Sequence, residues 1–174
     1  VQRNSARIGD RIFVTGTLGD AALGLALYSD AALLENDVLS GDRGFLIARY
    51  LRPAPRLELT PVLRAHASAA LDVSDGLAKD VARLAHGAGG KAEIAFDRLP
   101  LSPSARIMTS ADPARRAAVV SGGDDYEIVF AVPEDHAAAL DLVLGELPFN
   151  VTEIGRIVNG EGVTIADATG ALTG

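Results

Sequence analysis

Leu71-Asp72-Val73-Ser74-Asp75-Gly76-Leu77 sets two carboxylates, a hydroxyl and a glycine inside one short stretch. Ala69, Ala70 and Leu71 lead into it, and Leu77, Val81 and Leu84 follow at helical spacing. The stretch therefore reads as a strand end or tight turn feeding an amphipathic helix. Its polar groups gather where the helix begins. Ser or Asp at that point accepts hydrogen bonds from the free N–H groups of a first turn. The same oxygens suit a hard divalent cation. Capping needs only one of the three groups. Two carboxylates three residues apart repel unless a cation or an arginine sits between them. On the residues alone, both readings stand.

Working outward, strands and helices interleave. Residues 11–15 (RIFVT) alternate as a strand and enter the turn Gly16-Thr17-Leu18-Gly19-Asp20. A small-residue helix is expected over about 21–28, an irregular polar stretch over 30–42, and a helix over 45–51 that Pro53 and Pro55 stop. Thr60-Pro61 reads as an N-cap with proline at the first helical position, opening a helix to about residue 68. A further helix is expected over about 76–86, ended by Gly87, Gly89 and Gly90. Residues 91–96 alternate as a strand, 101–108 suit a short helix, and 114–120 carry no clear pattern. The run 126–132 (YEIVFAV) is the strongest strand, followed by a helix from 133 to about 147. Strands over 151–158 and 162–166 are expected to form a hairpin around Asn159-Gly160, with a fraying polar tail over 167–174. This order predicts an α+β domain with a mixed sheet covered by helices. No repeat or linker divides it, so 1–174 reads as one domain.

Two further glycine-rich turns are candidates for chemistry. Ser121-Gly122-Gly123-Asp124-Asp125 feeds the strongest strand, and its glycines permit close approach of a ligand or of another backbone. Alone it is also an ordinary acidic surface turn. The 16–20 turn resembles a phosphate loop in its strand–glycine–helix order. It lacks the Gly-Lys-Ser/Thr ending and the dinucleotide spacing, which favours a packing role. His66, His86 and His136 lie far apart in sequence without metal-ligand spacing and are read as structural. Arg52 and Arg56 flank a rigid proline segment and are read as solvated arginines at a helix stop.

Composition bounds the function. The formal net charge of −7 argues against nonspecific nucleic-acid binding. Cysteine is absent, which excludes disulfides, thiolate zinc sites and cysteine nucleophiles. No apolar run approaches a membrane span and no signal peptide opens the chain, so a cytoplasmic protein is expected. The chain starts at Val1 in a polar stretch, as a fragment of a longer protein would.

Four segments together resemble thiamine-monophosphate kinases: Ile8 to Gly16, Leu51 to Arg56, Ala70 to Leu77, and Ser121 to Glu127. The resemblance spans essentially the whole chain. It implies a three-layer α+β C-terminal domain of the aminoimidazole ribonucleotide synthetase-like superfamily. An N-terminal domain carrying further metal-binding aspartates and most of a homodimer interface would lie outside this chain. The implied reaction is ATP-dependent phosphorylation of thiamine monophosphate to thiamine diphosphate. By the same resemblance, Asp72 and Asp75 would ligate magnesium, Ser74 and Arg3 would contact the nucleotide, and Asp124 would contact the thiamine substrate. The family more often carries Glu at that last position. No side-chain nucleophile is implied. The rival expectation is a non-catalytic binding or interaction domain of the same fold, or another ATP-dependent enzyme of the superfamily.

Overall fold

The computed structural model describes residues 1–30, 42–167 and 170–173. Seven strands form one sheet: β1 Arg11–Thr15, β2 Ala69–Asp72, β3 Lys91–Ala95, β4 Ile128–Val132, β5 Val151–Val158, β6 Gly162–Asp167 and β7 Gly170–Thr173. The helices among the described residues are α1 Asp20–Ser29, α2 Arg43–Leu51, α3 Thr60–His66, α4 Leu77–Gly87, α5 Pro103–Ala111, α6 Arg115–Ser121 and α7 Glu134–Leu144.

The strand order is β2-β4-β1-β5-β3-β6-β7. Neighbours pair antiparallel except β3 with β6, which run parallel. The central strands are covered on both sides, and side-chain alternation divides them between two cores. Ile12, Val14, Val129 and Ala131 join the larger core with Leu23, Leu46, Val81, Met108 and Val119 from α1, α2, α4, α5 and α6. Phe13, Phe130 and Val132 join the smaller core with Val62 and Leu140 from α3 and α7. Phe13 and Phe130 are register partners and stack at 5.6 Å between ring centroids. The three layers are helix, sheet, helix, as the resemblance implies.

Several local expectations are corrected. β5 and β6 form no hairpin, because β3 lies between them and pairs with both. The tail is not frayed over 170–173, which pair with β6. Thr60 does not cap α3; it is the first helical residue, the cap position is Leu59, and no side chain bonds there. Pro61 still occupies the first turn, where its missing N–H costs nothing. The strongest strand begins at Ile128 rather than Tyr126. Residues 115–121 are helical. The irregular stretch expected over 30–42 falls mostly outside the described residues. His66 and His136 meet edge to face at 6.4 Å between α3 and α7, in keeping with structural roles.

Candidate functional site

The acidic turn follows β2 at one edge of the sheet, and the 121–127 loop enters the neighbouring strand β4. Pairing of β2 with β4 brings the two turns together. Their backbones continue the ladder beyond the strands. Val73 N donates to Glu127 O at 2.8 Å, Tyr126 N to Val73 O at 2.9 Å, and Asp124 N to Ser74 O at 3.1 Å. Two glycines make this approach possible. A Cβ on Gly76, which sits at φ 103°, would overlap the Ser121 carbonyl, and one on Gly123 would overlap the Ser74 carbonyl.

Capping does not explain the acidic turn. The N-cap of α4 is Gly76, with no side-chain bond to the helix. The helix instead reaches back. Buried Asp80 accepts from Ser74 N at 3.1 Å and Asp75 N at 2.9 Å, so it shapes the turn from within. Its other oxygen accepts from Arg83 at 2.8 Å, and the same Arg83 nitrogen pairs with Asp75 at 2.5 Å. An arginine therefore offsets the charges of Asp75 and Asp80. The carboxylates of Asp72 and Asp124 make no hydrogen bond or ion pair among the described residues. Ser74 offers its backbone to both neighbours, and its hydroxyl has no partner among the described residues.

Arg3 belongs to the same neighbourhood by a different route. Gln2 bridges Ala69 beside β2. Arg3 lines a cleft of about 580 Å³ with Asn4, Arg83 and His86. Arg83 thus stands between the Arg3 cleft and the acidic turn.

Beneath the exposed face of the 121–127 loop lies a buried ionic frame that sequence reasoning missed. Glu127 is fully buried and accepts from Thr15 Oγ1 at 2.7 Å, Arg49 at 2.8 Å, and Arg56 at 2.7 and 2.5 Å. Arg56 also lies over the Phe149 ring at 4.7 Å. It is not a solvated arginine: its hydrogen bond to Glu127 holds its pKa above the ordinary value. The available signal was a glutamate at the mouth of an otherwise apolar strand, which requires a buried cation.

Asp125 closes the 16–20 turn. Its carboxylate accepts from Gly19 N at 2.7 Å and Ala21 N at 3.0 Å, occupying the N-terminus of α1. This turn is therefore a packing joint, with a side-chain carboxylate where a phosphate loop would hold its anion. Nearby Asp20 accepts from Ser102 at 2.6 Å and from Thr17. Burial raises the pKa of both acids, that of Asp125 to about 7 from 3.8. The two N–H donors and Arg49 oppose that rise, while Asp20 adds to it.

A stability prediction follows from Asp125. Between pH 4 and 7 the folded state binds more protons than the unfolded one, so this group's contribution to stability falls as pH rises through that window. It is greatest below the unfolded pKa and constant above about 7. Melting temperatures of Asp125→Asn, compared with wild type from pH 4 to 8, are expected to show a shallower decline. An unchanged slope would contradict the assignment. Above pH 7, where Asp125 is ionised, the lost hydrogen bond alone is expected to cost the variant about 1–3 kcal/mol, because an amide cannot accept from both N–H groups.

The family model described as AIR synthase related protein, C-terminal domain, matches residues 7–168, and the chain belongs to that family. Within it, the similarity runs to thiamine-monophosphate kinases. The Caulobacter vibrioides thiamine-monophosphate kinase is 40% identical over 167 residues, covering 94% of this chain and 46% of that protein. The crystal structure of thiamine-monophosphate kinase from Stenotrophomonas maltophilia superposes with TM-score 0.82 at 39% identity, covering 95% of this chain and 52% of that one. The solved AaThiL complexed with AMPPCP and TMP gives TM-score 0.75 at 34% identity, with 95% and 50% covered. The chain spans about half the length of the curated relatives it matches.

Proposed function

We propose that this chain is the C-terminal domain of an enzyme that phosphorylates thiamine monophosphate with ATP, giving thiamine diphosphate and ADP. One observation carries the reading most. The acidic turn and the 121–127 loop are hydrogen-bonded to each other, yet the carboxylates of Asp72 and Asp124 have no partner among the described residues. Buried carboxylates that serve the fold are paired, as Asp80, Asp125 and Glu127 are here, whereas Asp72 is exposed at the junction of the two loops, where its oxygens are open to a ligand.

The donor chemistry fits magnesium, which takes carboxylate oxygens. Asp72 offers an exposed carboxylate with no partner among the described residues, and Asp75 offers a second once Arg83 yields it. Among the described residues no group of three acidic or histidine side chains converges, so these two would supply part of a coordination shell. The remaining ligands would come from an N-terminal domain, substrate oxygens and water. Held there, magnesium would supply positive charge to offset that of the transferring phosphate.

The chain's own residues then have distinct tasks. Arg3 neutralises charge on the nucleotide, and Ser74 supplies a hydroxyl to it. Asp124 faces the positive charge of the thiamine moiety. The substrate's terminal phosphate oxygen attacks the γ-phosphorus of ATP as the bond to the β-bridging oxygen breaks. This direct transfer calls for positioning and charge neutralisation and needs no protein nucleophile. The complete enzyme would be a homodimer working in the cytoplasm. Among the described residues no helix is long and apolar enough to cross a membrane.

The test is to incubate the complete gene product with ATP, magnesium and thiamine monophosphate, and to follow thiamine diphosphate by chromatography. Product is expected from the complete protein and none from residues 1–174 alone. A folded complete protein that forms no product would replace this reading with a binding domain or a relative with another substrate.

A further inference from the structure

The 124–127 segment alternates in an unusual way. Asp125 and Glu127 are buried and tied to Gly19, Ala21, Thr15, Arg49 and Arg56. The residues that alternate with them, Asp124 and Tyr126, are less buried. Asp124 is half-buried, and Tyr126 is 43% exposed. Both adopt left-handed backbone conformations, at φ 69° and 49°. They are the non-glycine residues with positive φ among those described.

Asparagine and aspartate visit this region with modest strain, but a tyrosine there is costly. Glycine or asparagine would meet the same backbone demand more easily. The surrounding network enforces the conformation: the N–H groups of Asp124 and Tyr126 bond to the acidic turn, while the buried carboxylates pin the residues beside them. The result is a large aromatic residue left 43% exposed, with no ring contact or side-chain hydrogen bond among the described residues, two positions from a carboxylate that has no partner among them. Strain of this kind, sustained by its surroundings, collects where a side chain must be presented to a ligand.

We propose that Tyr126 is a substrate-positioning residue, and that Tyr126 and Asp124 form one recognition surface for an aromatic cation. The ligand ring stacks on the tyrosine, and its positive charge faces the aspartate. The inference rests on the proposed kinase reading, in which the thiazolium and aminopyrimidine rings of thiamine monophosphate supply that chemistry. It adds the residue that selects for the rings, whereas the phosphate end is handled elsewhere.

The experiment is calorimetric titration of thiamine monophosphate, and separately of ATP with magnesium, into the complete gene product and its variants. Tyr126→Ala is expected to weaken thiamine monophosphate binding about tenfold, with ATP binding unchanged. Tyr126→Phe keeps the ring and is expected to stay within about twofold of wild type. Tyr126→Asn relieves the backbone and is expected to melt at or above the wild-type temperature while binding as weakly as the alanine variant. Equal affinity for thiamine monophosphate in wild type and Tyr126→Ala overturns the proposal and leaves the kinase reading standing. If wild type ignores thiamine monophosphate but binds the 1-methylnicotinamide cation in a Tyr126-dependent way, the surface stands and the kinase reading falls. If wild type binds neither, both fall.

Discussion

Replacing Glu127 by alanine is expected to lower the stability of the domain by about 3–5 kcal/mol. The glutamate is fully buried, and its two oxygens serve Thr15, Arg49 and Arg56. Without it, two guanidinium groups with only 11% and 16% of their side chains exposed lose their counter-ion. An uncompensated buried charge costs far more than the pair contributes when intact. Against a total of about 5–15 kcal/mol for an ordinary domain, this leaves the variant close to unfolding. Glu127→Gln keeps the shape but points an N–H at arginine donors, and is expected to lose most of the same amount. Urea unfolding is the measurement: the midpoint should fall with little change in slope. A triple replacement of Glu127, Arg49 and Arg56 by methionine should recover much of the loss, because no buried charge then remains. A Glu127→Ala midpoint near wild type would show that the buried frame is not what holds the 121–127 loop.

The second large effect is expected at Asp72, and it falls on activity. In the complete gene product, Asp72→Asn should reduce thiamine diphosphate formation by about two orders of magnitude or more, the scale of losing a group that holds transition-state charge. Its melting temperature should barely move, since the carboxylate is exposed and has no partner among the described residues to lose. Asp80, eight residues on, should behave in the opposite manner. It is buried and bonded to the backbone of the acidic turn, so its loss would be felt first in folding. The contrast separates a carboxylate that serves a ligand from one that serves the fold.

The elements were largely legible because apolar spacing encodes them locally. The alternation of Ile12, Phe13 and Val14 and the helical spacing of Leu77, Val81 and Leu84 survive in the structure as strand and helix. Strand partners were less legible. Nothing around Asn159-Gly160 reports that β3, some sixty residues earlier in the chain, lies between β5 and β6. A glycine turn signals a change of direction and is silent on which strand pairs next.

The site divides in the same way. Asp72, Ser74, Asp75 and Asp124 stood out by residue type and by resemblance, and the structure brings their two turns into backbone contact. The groups that hold them did not stand out. Asp80 and Arg83 look like ordinary surface charges of an amphipathic helix, and Arg56 like a solvated cation beside prolines. Their roles depend on burial and on partners distant in sequence, such as Glu127 for Arg56. Of the two readings left open at the acidic turn, capping fails for a related reason: Gly76 is needed there for close approach to Ser121, which leaves no side chain at the cap position.

The central claim is that Asp72 belongs to a phosphoryl-transfer site in which thiamine monophosphate is the acceptor. The most direct measurement is thiamine diphosphate formation by the complete gene product, wild type beside Asp72→Asn, with both proteins shown to be folded at the assay temperature. The account predicts ATP- and magnesium-dependent product from wild type and nearly none from the variant. Equal product from the two proteins, or none from folded wild type, would contradict it.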